Sequence, residues 1–227
     1  VIARVGGDEF ALILFGINSP ERTALIANAM IAALATPFPT KPIPSHVGIS
    51  IGITMVPSDS HDPITVMRWS DMAMYVAKSQ GKNRYQFFSE QINTQVHGEL
   101  RIEAELRQAL EKKERGLFAV YQPQVCAQTR RVVGVEVLMR WQSEDGRLLS
   151  PGDFIPIAEK SGLITQLGAW LLVRVCNDLA DLRKLGIEIP KVAINLSPRE
   201  LKQGKQIVDD ILDTLHRAGE TIGRFQF

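Results

Sequence analysis

The sequence predicts a mixed α/β protein, α+β in its first part and strand–helix alternating in its second. Three observations lead there. Two short apolar runs flank Gly6-Gly7-Asp8-Glu9, and helix and strand signals then follow in turn up to Phe88. Residues 89–114 are charge-rich with helical spacing. From Leu117 onward, apolar strand-like runs alternate with amphipathic stretches, the pattern of a parallel sheet or barrel flanked by helices.

Residues 1–5 and 10–15 read as the strands of a hairpin. Ser19-Pro20 opens a helix, with serine as N-cap and proline at the first helical position. Ile26, Met30, Ala33 and Leu34 keep its helical spacing, and Pro37, Pro39, Pro42 and Pro44 break the chain after it. Residues 47–56 read as a strand containing small residues. Asp62-Pro63 starts a second helix, which runs through Met67, Met74 and Ala77 and stops at Gly81. Residues 84–88 form a short strand. In 89–114, Glu103–Arg107 and Arg107–Glu111 are favourable pairs four apart, Leu106 and Leu110 share a stripe, and Gly98 is a candidate break. Further strands are expected at 117–122, 132–141 and 191–196, with another opening at Phe225. Helices are expected at 152–160, 163–185 and 205–218. The helix at 163–185 puts Ile164, Leu167, Leu171, Val175, Leu179 and Leu182 on one face.

Composition excludes several classes. Apolar residues are 45% and charged residues 22% of 227, so the chain is not disordered as a whole. Its 26 basic and 25 acidic residues leave a net charge of +1, and no global basic field for a nucleic acid polymer or anionic lipid. Cys126 and Cys176 form no close pair and no cysteine–histidine zinc spacing exists, which fits a reducing, cytoplasmic compartment. His46, His61, His97 and His216 are scattered and read as structural or surface residues. No apolar run approaches the ~20 residues of a membrane span.

The first candidate site is the hairpin tip. Gly6 and Gly7 allow positive φ and leave the turn bare, so a phosphate or base could approach the backbone. Asp8 and Glu9 follow at once. Adjacent carboxylates repel unless solvated or bridged by a hard divalent cation, which could hold a nucleotide triphosphate for attack by a hydroxyl. Alone, the tetrapeptide reads as a solvated acidic turn. Its context changes that reading. Arg4-Val5-Gly6-Gly7-Asp8-Glu9-Phe10, Ser50-Ile51-Gly52-Ile53, Asp71-Met72-Ala73-Met74-Tyr75-Val76-Ala77-Lys78 and Gly81-Lys82-Asn83-Arg84 occur in order, and together they resemble the GGDEF family of diguanylate cyclases. The resemblance implies a nucleotidyl-cyclase-like domain with a ferredoxin-like core that condenses two GTP molecules into cyclic di-GMP across an antiparallel dimer. It implies that Asp8 and Glu9 bind Mg²⁺ and take part in catalysis, that Gly6 and Gly7 lie against GTP, and that Lys78 and Lys82 contact its phosphates. Without the resemblance, these lysines are a solvated helix end that suits the helix dipole. Arginine is commoner in the family where this chain has Lys82. The family's other metal aspartate, its guanine-recognising asparagine and the inhibitory Arg-x-x-Asp motif of some members belong before the hairpin, where five residues precede Gly6.

The second candidate site begins at Tyr121-Gln122-Pro123-Gln124. Glu136 interrupts the apolar run 133–138, so its carboxylate must be paired, metal-bound or turned to a polar interior. Arg140, four residues on, points to the same side of the strand, where a phosphate and a cation would suit both. A Glu136–Arg140 pair is the structural alternative. Asn195 ends the apolar run 192–196 and either sits where barrel enzymes place their chemistry or starts the turn into Ser197-Pro198. Tyr121-Gln122-Pro123, Glu136-Val137-Leu138-Met139-Arg140-Trp141, Pro151-Gly152-Asp153-Phe154-Ile155-Pro156-Ile157-Ala158-Glu159 and Ala193-Ile194-Asn195-Leu196-Ser197 resemble, in order, the EAL family of cyclic di-GMP phosphodiesterases. The resemblance implies a modified (β/α)₈, TIM-barrel-like fold that uses two Mg²⁺ or Mn²⁺ ions to cut cyclic di-GMP to linear pGpG. It implies that Glu136 is catalytic and, with Asn195, a metal ligand, and that Gln122 and Arg140 contact the dinucleotide. Val137 replaces the family's alanine, a mild change. Further metal acids, an Asp-Asp pair, a lysine and a final glutamate belong after Phe227.

The two resemblances divide the chain into 1–88, the C-terminal portion of a GGDEF domain; 89–114, a helical linker; and 115–227, the N-terminal portion of an EAL domain. Both domains do not fit in 227 residues, so the expectation is an internal part of a longer tandem protein. That protein is expected to hydrolyse cyclic di-GMP, with a GGDEF domain that binds GTP or makes cyclic di-GMP, as a cytoplasmic homodimer. A membrane anchor in a preceding region is compatible with this. The alternative is a non-catalytic receptor for cyclic di-GMP or GTP, against which Glu136 and Asn195 weigh. The 227-residue chain alone is expected to be inactive.

Overall fold

The computed structural model describes residues 1–17, 19–111 and 116–227, so residues 112–114 of the expected linker lie outside the described residues. The chain forms two units, Val1–Gly98 and Glu99–Phe227.

In the first unit, β1 (Ile2–Gly6) and β2 (Glu9–Leu12) form the expected hairpin, with Arg4 opposite Phe10 and Gly6 opposite Glu9. α1 (Pro20–Ala35) starts at the expected cap, where the Ser19 hydroxyl accepts from the Arg22 amide at 3.4 Å. β3 (Ile51–Ile53) and β4 (Tyr85–Phe87) pair in parallel across α2 (Pro63–Ser79). The strand expected over 47–56 thus contracts to three residues. Its partner is equally short, and beyond Thr54 the backbone turns: the Met55 amide donates to Asp59 Oδ2 at 2.7 Å, and the Asp59 amide returns to the Met55 carbonyl at 2.8 Å. The Asp62 carboxylate caps α2 by accepting from the Thr65 amide at 2.9 Å. The face of α2 turned inward is small, with Ala73, Val76 and Ala77 buried. Trp69 stacks on Phe88 at 4.2 Å between ring centroids. The four strands make two separate two-stranded sheets.

α3 (Glu90–Glu111) is one helix, and Gly98 does not break it. Ile92 and Val96 of α3 pack with Val76 and Met72 in the first unit. Leu106 and Ala109 belong to the core of the second.

The second unit is built on one sheet in the order β5-β6-β8-β9. β5 (Leu117–Val125) and β6 (Val132–Gln142) are antiparallel, and the two-residue β7 (Leu148–Leu149) pairs with β6. α4 (Pro151–Ser161) and α5 (Ile164–Lys184) then lead to β8 (Val192–Ile194), parallel to β6. α6 (Pro198–Leu201) and α7 (Lys205–Arg217) lead to β9 (Phe225–Gln226), parallel to β8. This is the expected strand–helix alternation. β7 and α6 are too short to leave a periodic signal. The side chains of β6 divide by the strand's period of two. Val135, Val137, Met139 and Trp141 are buried with Phe154, Leu167 and Val175. Glu136, Leu138 and Arg140 alternate with them and are half-buried. The second crossover is tied down by the buried Glu220 carboxylate, which accepts from Arg183 and, at 3.1 Å, from Arg224.

The two cysteines are unpaired and differ in character. Hydrogen bonds from the Thr129 hydroxyl and the Thr129 and Gln128 amides hold the Cys126 thiol below its ordinary value. Burial pushes the Cys176 thiol up to about 11. Since the thiolate is the reactive form, Ellman's reagent at pH 7.5 is expected to modify Cys126 alone in the folded chain. Cys126→Ser should remove that reaction. Prompt modification of Cys176 in the Cys126→Ser variant would contradict its packing.

Candidate functional site

At the hairpin, the turn needs a left-handed residue and Gly7 supplies it, with φ +43°. The Arg4 guanidinium donates to the Gly7 carbonyl from Nε at 2.9 Å and Nη2 at 2.6 Å. Arg4 therefore clamps the backbone beside Asp8 and Glu9, a role its place in the motif did not disclose. Both carboxylates are exposed. Lys78 lies in the last turn of α2 and Lys82 in the turn after it, at φ +60°. Among the described residues, no hydrogen bond or ion pair joins either lysine to the hairpin.

The second site is more closely assembled. β6 lies between β5 and β8, so Glu136 stands opposite Gln122 on one side and Ala193 on the other. Asn195 follows the end of β8, and its Nδ2 donates to Glu136 Oε1 at 2.9 Å. Two residues 59 positions apart thus meet through the parallel register. Arg140 shares their face of β6, and its Nη1 donates to the Met139 carbonyl at 2.8 Å. The Glu136–Arg140 pair does not form among the described residues. Four residues of strand span about 13 Å, too far for the two heads to meet without both folding back.

Tyr121 points to the other side of β5 from Gln122. Its hydroxyl donates to Asp178 Oδ2 at 2.6 Å, and Arg174 pairs with the same carboxylate at 3.0 Å. Burial, then the adjoining Asp178 carboxylate, raises the Tyr121 phenol far above its usual range. Tyr121 is therefore a tether between β5 and α5. Beyond Asn195, a cavity of about 430 Å³ is lined by Leu138, Ile155, Glu159, Asn195, Ser197 and Glu200 among others.

The Glu136 carboxylate and the Asn195 amide oxygen are hard donors that suit Mg²⁺ or Mn²⁺. Among the described residues, no group of three or more His, Cys, Asp or Glu side chains could hold a metal ion. No described helix is long and apolar enough to cross a membrane.

Residues 1–84 match the family model "Diguanylate cyclase, GGDEF domain", and residues 103–225, more than half of the chain, match the EAL domain. The bifunctional diguanylate cyclase/cyclic di-GMP phosphodiesterase MucR of Pseudomonas aeruginosa is 36% identical over 216 residues, covering 95% of this chain and 31% of that protein. The cyclic di-GMP phosphodiesterase PdeR of Escherichia coli is 37% identical over 201 residues, covering 88% of this chain and 30% of that protein. A solved structure described as PaMucR phosphodiesterase in a c-di-GMP complex is 35% identical, with a TM-score of 0.51 over 55% of this chain and 49% of that one. The chain spans about a third of the length of these curated relatives. It belongs to the GGDEF–EAL proteins, with GGDEF sequence over residues 1–84 followed by EAL sequence over 103–225.

Proposed function

We propose that this chain serves cyclic di-GMP turnover, and that its EAL part takes part in hydrolysing cyclic di-GMP to pGpG. The observation that carries the proposal is the Glu136–Asn195 contact, in which the Asn195 Nδ2 donates to Glu136 Oε1 at 2.9 Å and so brings together two side chains that each carry a hard oxygen. The names of the relatives point the same way. In this reading Glu136 and Asn195 hold Mg²⁺ or Mn²⁺. The Asn195 amide now presents Nδ2 to Glu136, and a half-turn of that amide presents Oδ1 instead. A bound divalent ion would lower the pKa of a water and offset phosphate charge. Arg140 supplies a fork of donors for a phosphate, and Gln122 flanks Glu136 across the ladder to orient the dinucleotide. Water oxygen joins phosphorus, one P–O ester bond breaks, and the leaving 3′-oxygen takes a proton.

The proposed division is 1–88, 89–114 and 115–227, as a GGDEF portion, a linker and an EAL portion. In the first, Asp8 and Glu9 would hold Mg²⁺ and act in catalysis, Gly6 and Gly7 would lie against GTP, and Lys78 and Lys82 would meet its phosphates. Exposure of both carboxylates at the clamped tip supports this. Such a portion would bind GTP or make cyclic di-GMP within a homodimer.

The test is the purified full-length protein with Mg²⁺, given cyclic di-GMP in one reaction and GTP in another. pGpG from the first is the expected product. Tight binding of cyclic di-GMP with no pGpG would make the protein a receptor and overturn the proposal. The 227-residue chain alone is expected to form neither pGpG nor cyclic di-GMP, because its described residues offer two candidate ligands at one site and two adjacent carboxylates at the other. Product above that of a Glu136→Ala, Asp8→Ala double variant would contradict this.

A further inference from the structure

The turn after Asn195 is held by a carboxylate sunk into the second unit. Glu200 is 2% exposed. Its Oε2 accepts from the Ser197 amide at 2.9 Å, and the Glu200 amide donates to the Ser197 hydroxyl at 3.2 Å. This is a reciprocal cap, but the helix it caps is a single turn of four residues, Pro198–Leu201. Burying a carboxylate is costly, and burial raises the Glu200 acid above its ordinary value. One turn of helix is a small structural return for that cost.

The surroundings suggest what the carboxylate is for. It lies against Gly168 of α5, where an added Cβ would fall 2.0 Å from Glu200 Oε1. α5 therefore leaves a seat for this group and no room for a side chain. From that seat Glu200 grips the Ser197 amide, two residues beyond Asn195. Ser197, Glu200 and Asn195 line one cavity. Asn195 itself has one anchor in the described network, its bond to Glu136. The backbone leaving β8 runs through Leu196, packed on the core, into this capped turn.

We propose that Glu200, seated by Gly168, is a positioning residue that holds the Asn195 side chain beside Glu136 and so sets the site's affinity for a divalent cation. The cation part rests on the function proposed above; the placement of the amide does not.

The test uses two readouts. One is the Asn195 side-chain amide in the ¹H–¹⁵N spectrum of the 227-residue chain, assigned by its loss in Asn195→Asp. The other is Mn²⁺ affinity of the full-length protein by electron paramagnetic resonance. Glu200→Ala and Gly168→Ala should each move the amide toward the free-amide position and weaken Mn²⁺ binding about 10-fold or more. Glu200→Gln should stay within about twofold of wild type, because its amide oxygen still accepts from Ser197. In the Glu200→Ala background, Gly168→Ala should add nothing, since the seat is empty. Where alanine at 200 does not fold, Glu200→Asp shortens the reach by one methylene and should show the same displacement. Variants that lower the melting temperature but leave the Asn195 amide in place would overturn the proposal and make Glu200 a helix cap only. If the amide moves as expected but Glu136→Ala leaves Mn²⁺ affinity unchanged, the cation reading of the site is overturned and the brace stands.

Discussion

Replacing Gly52 with alanine is expected to unfold the Val1–Gly98 unit under conditions where the Glu99–Phe227 unit stays folded. A Cβ at Gly52 would lie 1.9 Å from the Ser70 carbonyl oxygen and 2.4 Å from the Met74 amide nitrogen. Both are backbone atoms of α2, so no side-chain rotation relieves the clash. Overpacking a core costs about 1–3 kcal/mol when side chains can adjust. Here β3 and α2 must separate, and about 3 kcal/mol or more is expected. The unit has little to offset it, since Val76, Ile92 and Val96 form a small cluster. Amide hydrogen exchange reads each unit by itself. Loss of protection in β3, α2 and β4, with protection kept in β6 and α5, is the expected result. Unchanged protection in both units would show that α2 does not sit on Gly52 as described.

Glu136→Ala in the full-length protein is expected to abolish pGpG formation while leaving the sheet intact. Glu136 is half-buried, and its side-chain contact in the described network is with Asn195, so its removal costs one hydrogen bond. The chemical loss should be far larger. Removing a partner of a metal ligand already costs up to about 100-fold, and loss of a ligand itself should exceed that. Asn195→Ala should fall in the same class. Circular dichroism checks the fold and chromatographic assay checks the product. Turnover within about twofold of wild type would end the ligand assignment.

Much of this is legible in the sequence. The hairpin, the Ser19 and Asp62 caps and the long amphipathic α5 follow from residue type and spacing, because those features are local. The two family resemblances rest on ordered motifs and reached the same domains that the family models match. The misses are mostly non-local. The strand expected over 47–56 shortened because its short partner lies at 85–87, and the local Met55–Asp59 turn ends it. The Glu136–Arg140 pair, the structural alternative that alternation left open, does not form among the described residues, and the parallel register brings Asn195 to Glu136 instead. Gly168 and Glu200 carried no recognisable signal, and Tyr121 stood in a motif that did not disclose its tether to Asp178, since their partners are on other elements. Arg4 was within a motif, yet its clamp on Gly7 needs the folded turn to be seen.

The proposed function requires Glu136 and Asn195 to share a divalent cation at a site for cyclic di-GMP. The most direct test is anomalous diffraction from crystals of the full-length protein grown with Mn²⁺ and cyclic di-GMP. The account predicts a manganese peak roughly 2.0–2.3 Å from both a Glu136 carboxylate oxygen and Asn195 Oδ1, the range for hard oxygen ligands. Nδ2 of Asn195 should then be turned away from the ion. A peak elsewhere in a protein that makes pGpG, with Asn195 still donating to Glu136, would contradict it.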